Sequence, residues 1–182
     1  MQCVIAGSYG KFYKRILGEV IPVFERAGIH VPYPPKSEIV SRPGEYPIFR
    51  EDERFSRDVY KSEILPVTKQ DIINMFKQSG NPVEQIEKEL GLEQVFLEAA
   101  ENSNFIYLFN PEGYVGEHTS FELGRLSTSE IPIHAFSEIR YGATNHIHAL
   151  TINGLITRNG GPKTPEQLVE YLIEEGKLKI PA

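Results

Sequence analysis

Glu122 and the turn before it carry the densest chemistry in this chain. The run Asn110-Pro111-Glu112-Gly113-Tyr114-Val115-Gly116-Glu117-His118-Thr119-Ser120-Phe121-Glu122-Leu123-Gly124 follows directly on the apolar stretch Phe105-Ile106-Tyr107-Leu108-Phe109. A strand, a glycine-bearing turn and a helix start in that order bring a carboxylate to the carboxyl end of a strand. Ligand crevices form there, because the loops splay apart and helix N-termini point inward. Gly116 and Gly124 let a ligand or another backbone approach closely, and Tyr114, His118 and Phe121 surround the acid with rings suited to a planar group. An active site is the leading reading. A purely structural one competes with it: Thr119-Ser120-Phe121-Glu122 has capping-box spacing, in which Thr119 caps a helix and Glu122 reaches back to the cap's N–H.

A second glycine-bearing turn, Gly7-Ser8-Tyr9-Gly10, also links an apolar run to a helical pattern. In a parallel sheet both turns lie on one edge, so their N–H groups and hydroxyls face one ligand. Ser8 with the following helix start suits an anion or a sugar hydroxyl. Neither turn has dinucleotide-binding G-x-G-x-x-G spacing, and no G-K-[ST] occurs. No G-x-S-x-G elbow surrounds Ser8, which argues for binding rather than nucleophilic attack. His146 and His148 are two apart and would share one face of a strand as a metal pair, but the further ligands a metal needs are missing. His30 and His134 read as strand-end or edge residues.

The elements that must position these groups alternate. Gln2 to Ala6 is a buried strand; Phe12, Ile16, Val20 and Phe24 then recur every four residues as a helix face, closed at Ala27-Gly28. Ile29 to Tyr33 supplies a second strand. Residues 34 to 68 dissolve into prolines, charges and the aromatics Tyr46, Phe49, Phe55 and Tyr60, whose composition favours packing or a dimer contact over a base-stacking platform. Helical patterns return at Lys69 to Gln78, after Asn81-Pro82, and at Glu93 to Asn102. Ile131 to Phe136 makes a fourth strand, and His148 to Ile156 a fifth strand or an edge hairpin around Asn153-Gly154. Thr164-Pro165-Glu166-Gln167 is a capping box opening a last helix that ends near Gly176. The expected fold is an α/β three-layer sandwich with a mainly parallel sheet of about five strands, formed by one domain over 1–182 with a variable insertion at about 34–92.

Composition mostly excludes. A chain of 182 residues, 40% hydrophobic, can bury one real core. A formal charge of -6 argues against a nucleic-acid polymer as partner. The lone Cys3 allows no internal disulfide, and neither a signal pattern nor a membrane-length apolar run is present, so a cytoplasmic protein without a membrane partner is expected.

The N-P-x-G-Y-x-G-x-x-T-x-x-E pattern from Asn110 to Glu122 resembles the nucleoside 2-deoxyribosyltransferase superfamily. The Glu-Leu-Gly segment is similar to the nucleophile region of those transferases and of the related 2'-deoxynucleoside 5'-phosphate N-hydrolases. Gly7-Ser8-Tyr9-Gly10-Lys11-Phe12 resembles the superfamily's first loop, which holds the sugar or its 5' substituent. The resemblance implies a Rossmann- or flavodoxin-like sheet and a nucleoside or nucleotide substrate. It implies Glu122 as the nucleophile that attacks C1', with Gly7, Ser8, Tyr9, Asn110, Gly113, Tyr114, Gly116, His118 and Thr119 lining the site. Glu117, Glu112 or His118 would serve the leaving base as proton donor, Glu117 first because it shares the turn. No cofactor or metal is required, and a homodimer or larger homo-oligomer is implied. The chain departs from the pattern where relatives carry an aspartate: Glu98, Glu101 and Asn104 occupy that region, and no Asp follows Asp71. Hydrolase and transferase both stay open. The alternatives are a non-catalytic nucleotide- or sugar-binding regulatory module and a structural subunit without a ligand.

Overall fold

Cys3 to Gly7 and Phe105 to Phe109 are buried on every residue, and runs apolar on both faces belong in the middle of a parallel sheet covered on both sides. A computed structural model, described over residues 1–39, 74, 93–142 and 146–179, places them there. Strands β1 (Gln2–Gly7), β2 (His30–Tyr33), β3 (Phe105–Phe109) and β5 (Ile133–Ala135) form a parallel sheet in the order β2-β1-β3-β5. Strands β4 (Tyr114–Val115) and β6 (Tyr141–Gly142) pair in parallel as a separate ribbon. With helices flanking the sheet, this is the expected α/β sandwich of Rossmann or flavodoxin type; among the described residues its main sheet has four strands. By contacts the chain divides into two compact units, Met1–Pro34 with Ala99–Ala182, and Pro35–Glu98. The helices expected at 69–78 and after Asn81, and the aromatics Tyr46 to Tyr60, lie outside the described residues.

The first crossover is written in its residues. Helix α1 (Tyr9–Arg15) passes through a π turn (Ile16–Val20) into α2 (Ile21–Arg26). Pro22 has no N–H to donate back to Gly18, and the wider turn accommodates that gap: the N–H of Ile21 reaches the carbonyl of Ile16 instead. Gly28, at φ 76°, closes the helix: its N–H reaches Glu25 (2.9 Å) and that of Ile29 reaches Phe24 (2.9 Å), the paired bonds of a Schellman ending. The chain is then delivered to β2, parallel to β1.

Helix α3, described over residues 93–101, precedes β3, and α4 (Glu117–Leu126), α5 (His146–Arg158) and α6 (Pro165–Glu174) follow. The capping box at α6 is present in both halves, Gln167 N–H to Thr164 Oγ1 and Thr164 N–H to Gln167 Oε1, and Gly176 lies just beyond its end at φ 67°. The strand or hairpin expected at His148 to Ile156 is corrected: these residues are the helix α5. Its β-branched content mimics a strand, but Ile152 and Ile156 are buried one turn apart on a helical face. Asn153 is no turn residue either. Its carboxamide brackets Ile139, accepting from the N–H (2.8 Å) and donating to the carbonyl (3.0 Å). Among the described residues no helix is long and apolar enough to cross a membrane.

Gly7 ends β1 with its Cα against β3. A Cβ there would stand 2.9 Å from the carbonyl oxygen of Phe109, a backbone atom in a central strand. Gly7→Ala is therefore expected to lower unfolding free energy by about 1–3 kcal/mol, read as a reduced urea midpoint. An unchanged midpoint would show that the two strands can separate freely at this edge.

Candidate active site at the carboxyl edge of the sheet

The order β2-β1-β3-β5 reverses between β1 and β3: the chain leaves β1 toward one side of the sheet and β3 toward the other. The crevice outside the carboxyl ends of two such strands is where open α/β sheets bind ligands. Gly7 and Phe109 are register partners at that edge, so the loops beginning at Ser8 and Asn110 start side by side. They are joined directly. The N–H of Gly116 donates to Ser8 Oγ at 3.0 Å, and a Cβ on Gly116 would fall 2.8 Å from that oxygen. Gly116 is thus glycine so that this bond can form.

One face of α1 lies along the second loop. The Lys11 ammonium sits 4.5 Å from the centroid of Tyr114 and 5.1 Å from that of Phe12; Phe12 meets Phe109 and Tyr114 edge-on; the Arg15 guanidinium sits 5.2 Å from the Phe109 centroid. Positions 8, 11, 12 and 15 follow helical spacing. Arg15 is held by a bidentate pair with exposed Glu19, Nε donating to Oε1 (3.0 Å) and Nη2 to Oε2 (2.8 Å), and that hydrogen-bonded carboxylate raises its pKa above the ordinary guanidinium value. Among the described residues Lys11 has no such carboxylate, and its ammonium lies on Tyr114 beside the second loop. Helix period and a basic residue three positions after Ser8 were the signals for Lys11.

The loop itself is locked from below. Asn110 is fully buried, and its carboxamide clamps the backbone of Ser137, donating to the carbonyl (2.8 Å) and accepting from the N–H (3.0 Å). Asn110 therefore shapes the crevice, and its side chain is committed to the loop after β5. Gly113 has φ 81°, and a Cβ there would meet the Glu138 carbonyl at 2.6 Å. Glu112 adopts φ 65°, a left-handed conformation that costs a non-glycine residue about 1 kcal/mol. Glu112→Gly is expected to raise stability by about 0.5–1 kcal/mol in urea denaturation; a loss of stability would mean that the carboxylate earns its strained position through its contacts.

Helix α4 corrects the capping-box reading. Its N-cap is Gly116, and the first helical residue is Glu117, so Thr119 is already inside the helix and Glu122 lies in the second turn. No side-chain cap bond is made; Ser120 donates to the Gly116 carbonyl from both its N–H and its hydroxyl. Thr119, Glu122, Leu123 and Leu126 form the buried face, Glu122 being 2% exposed. Glu122 does not cap the helix. A carboxylate so deeply buried costs solvation, which makes it a candidate for a functional role.

The other expected acids separate. Glu117 is exposed, and five residues along a helix turn it about 140° from Glu122. His118, also exposed, precedes Glu122 by four residues and shares its side of the helix. Tyr9 is buried, with its hydroxyl donating to the Ile5 carbonyl and its ring against Tyr13 and Tyr33, so it supports the first loop from inside. Glu101 and Asn104 lie at the opposite end of β3: Asn104 bonds the backbone of Gln2, at the amino edge of the sheet. They are a strand length from the crevice. His146 and His148 are positions on α5, about 200° apart about its axis, so the shared strand face of a metal pair is gone. Among the described residues no group of three potential metal ligands occurs. Comparison of the chain with protein-family models, curated proteins and solved structures finds no match.

Proposed function

We propose that this chain cleaves or transfers at the N-glycosidic bond of a (deoxy)nucleoside or nucleotide, with Glu122 as nucleophile. The observation that carries the reading is Glu122 itself, a carboxylate buried in the second turn of a helix that springs from the crevice between β1 and β3. One carboxylate oxygen forms a bond to C1' as the C1'–N bond breaks, and the bonding pair leaves with the base. The transition state resembles an oxocarbenium ion, which adjacent negative charge stabilises. A proton must reach the base. His118 is placed for that better than Glu117, being one turn from Glu122 on the same side. Water or a second base then takes the sugar from the glycosyl ester. Ser8, tied to Gly116, and Lys11, stacked on Tyr114, supply a hydroxyl and a cation for the sugar and its 5' substituent.

Incubation with a panel of nucleosides and their 5'-monophosphates, with and without an acceptor base, tests this by chromatography of released base. Preference for monophosphates would implicate Lys11, and turnover only with an acceptor would define a transferase. Binding without base release would favour the second reading, a nucleotide- or sugar-binding regulatory module, to which the near-complete burial of Glu122 also lends support. A homo-oligomer, with exposed Phe121 and Leu150 as apolar contacts, is tested by sedimentation.

A further inference from the structure

His134 occupies the centre of the edge strand β5 and is 4% exposed. Its imidazole meets Phe105 edge-on at 5.6 Å between centroids and Tyr171 of α6 at 6.0 Å; Tyr107 is its register neighbour on β3. Nδ1 is buried without a hydrogen-bond partner. Two cations lie on the tyrosine that covers it, Lys163 Nζ at 4.4 Å and Lys177 Nζ at 5.5 Å from the ring centroid. The same place holds bonds that fasten the 159–163 loop and α6 to the sheet. Lys163 N–H donates to the Ala135 carbonyl (2.8 Å), the Tyr107 hydroxyl to the Lys163 carbonyl (2.9 Å), and Asn159 Nδ2 to the Ile133 carbonyl (3.1 Å).

We propose that His134 makes this attachment an acid-released latch: protonating the imidazole detaches α6 and the 159–163 loop from β5 while β1 and β3 stay folded. A neutral ring packs here as an apolar group. A protonated one carries a second N–H to a buried nitrogen that has no acceptor, and faces Lys163 and Lys177 across Tyr171. Among the described residues a hydrogen bond to the Asn159 backbone opposes this, and Glu175, 3.7 Å from Lys177 Nζ at the surface, offsets part of that cation's charge; Tyr107, held protonated by burial and by Glu166, brings no charge. Burial, then Lys163 and Lys177, push the His134 pKa down from 6.5 to about 4. Because the folded value is the depressed one, the latch is fully closed above 6.5 and loosens as pH falls toward about 4. Opening would also dismantle a groove of about 360 Å³ above Phe109 and Phe136, since Thr164, Pro165 and Glu166 line it.

Hydrogen exchange read by mass spectrometry at pH 7, 5.5 and 4.5, corrected for intrinsic rates, tests the latch. In the wild-type chain the opening equilibrium of amides 159–178 should grow by up to about tenfold per pH unit within that window, with β1 and β3 protected throughout. His134→Phe should remove this dependence. Lys177→Met, an exposed change that leaves the core intact, should weaken it at the acid end by removing a repelling charge. A flat response in the wild-type chain, loss of protection in β1 and β3 in step with α6, or a wild-type slope in His134→Phe would each overturn the proposal.

Discussion

Glu122→Gln is expected to reduce base release by about a thousandfold or more while leaving the fold intact, because a neutral amide cannot form the glycosyl ester. The two halves of that expectation test different things. Glutamine has the shape of glutamate, so the buried face made with Thr119, Leu123 and Leu126 is retained. Burial of the acid is relieved, and the unfolding free energy should stay level or rise by about 1 kcal/mol, the exchange typical of residues kept for function at the expense of stability. Glu122→Asp keeps the charge but withdraws it by one methylene and should fall between the two. Base release by Glu122→Gln at the wild-type rate would end the nucleophile assignment, and marked destabilisation would return Glu122 to a structural role.

Asn110→Ala is expected to be the most destabilising of the substitutions considered, by about 2–4 kcal/mol in thermal or urea unfolding. Both ends of the carboxamide are bonded to Ser137, so truncation strands a backbone N–H and a backbone carbonyl at once. Alanine also leaves a void at a fully buried position. Asn110→Asp is the informative companion: one oxygen can still accept from Ser137 N–H, but the other turns an acceptor toward the Ser137 carbonyl, so only part of the loss is recovered. A near-neutral Asn110→Ala would mean that the loops after β3 and β5 hold their positions without the clamp.

Local signals were legible and distant ones were not. Strands β1 and β3 declared themselves as continuous apolar runs, Gly28 and the Thr164 box marked helix ends by chemistry confined to a few residues, and the two turns at the crevice followed from strand-to-helix order. The start of helix α4 is hidden in the sequence because Gly116, its cap, offers no side chain to read, while Thr119 and Glu122 imitate a cap by spacing alone. Helix α5 is disguised as a strand because its β-branched residues favour strands until packing overrides them. Asn110 could be assigned to the site but not to its clamp, since Ser137 lies 27 residues away. Glu101 and Asn104 precede β3 while the crevice loop follows it, and the parallel register of β3 with β1, with the bond from Gln2 N–H to Asn104, assigns them to the amino edge.

The π turn at Ile16–Val20 gives the first helix a pitch that its sequence had already recorded. In an ordinary α-helix each step of four residues overshoots a full revolution by about 40°, so Phe12, Ile16, Val20 and Phe24 would wander about 120° around the barrel of the helix. All four are nevertheless buried. The slower winding through the π turn absorbs much of that wander, and a strictly fourfold repeat, ill-matched to an α-helix, becomes the notation for an underwound one.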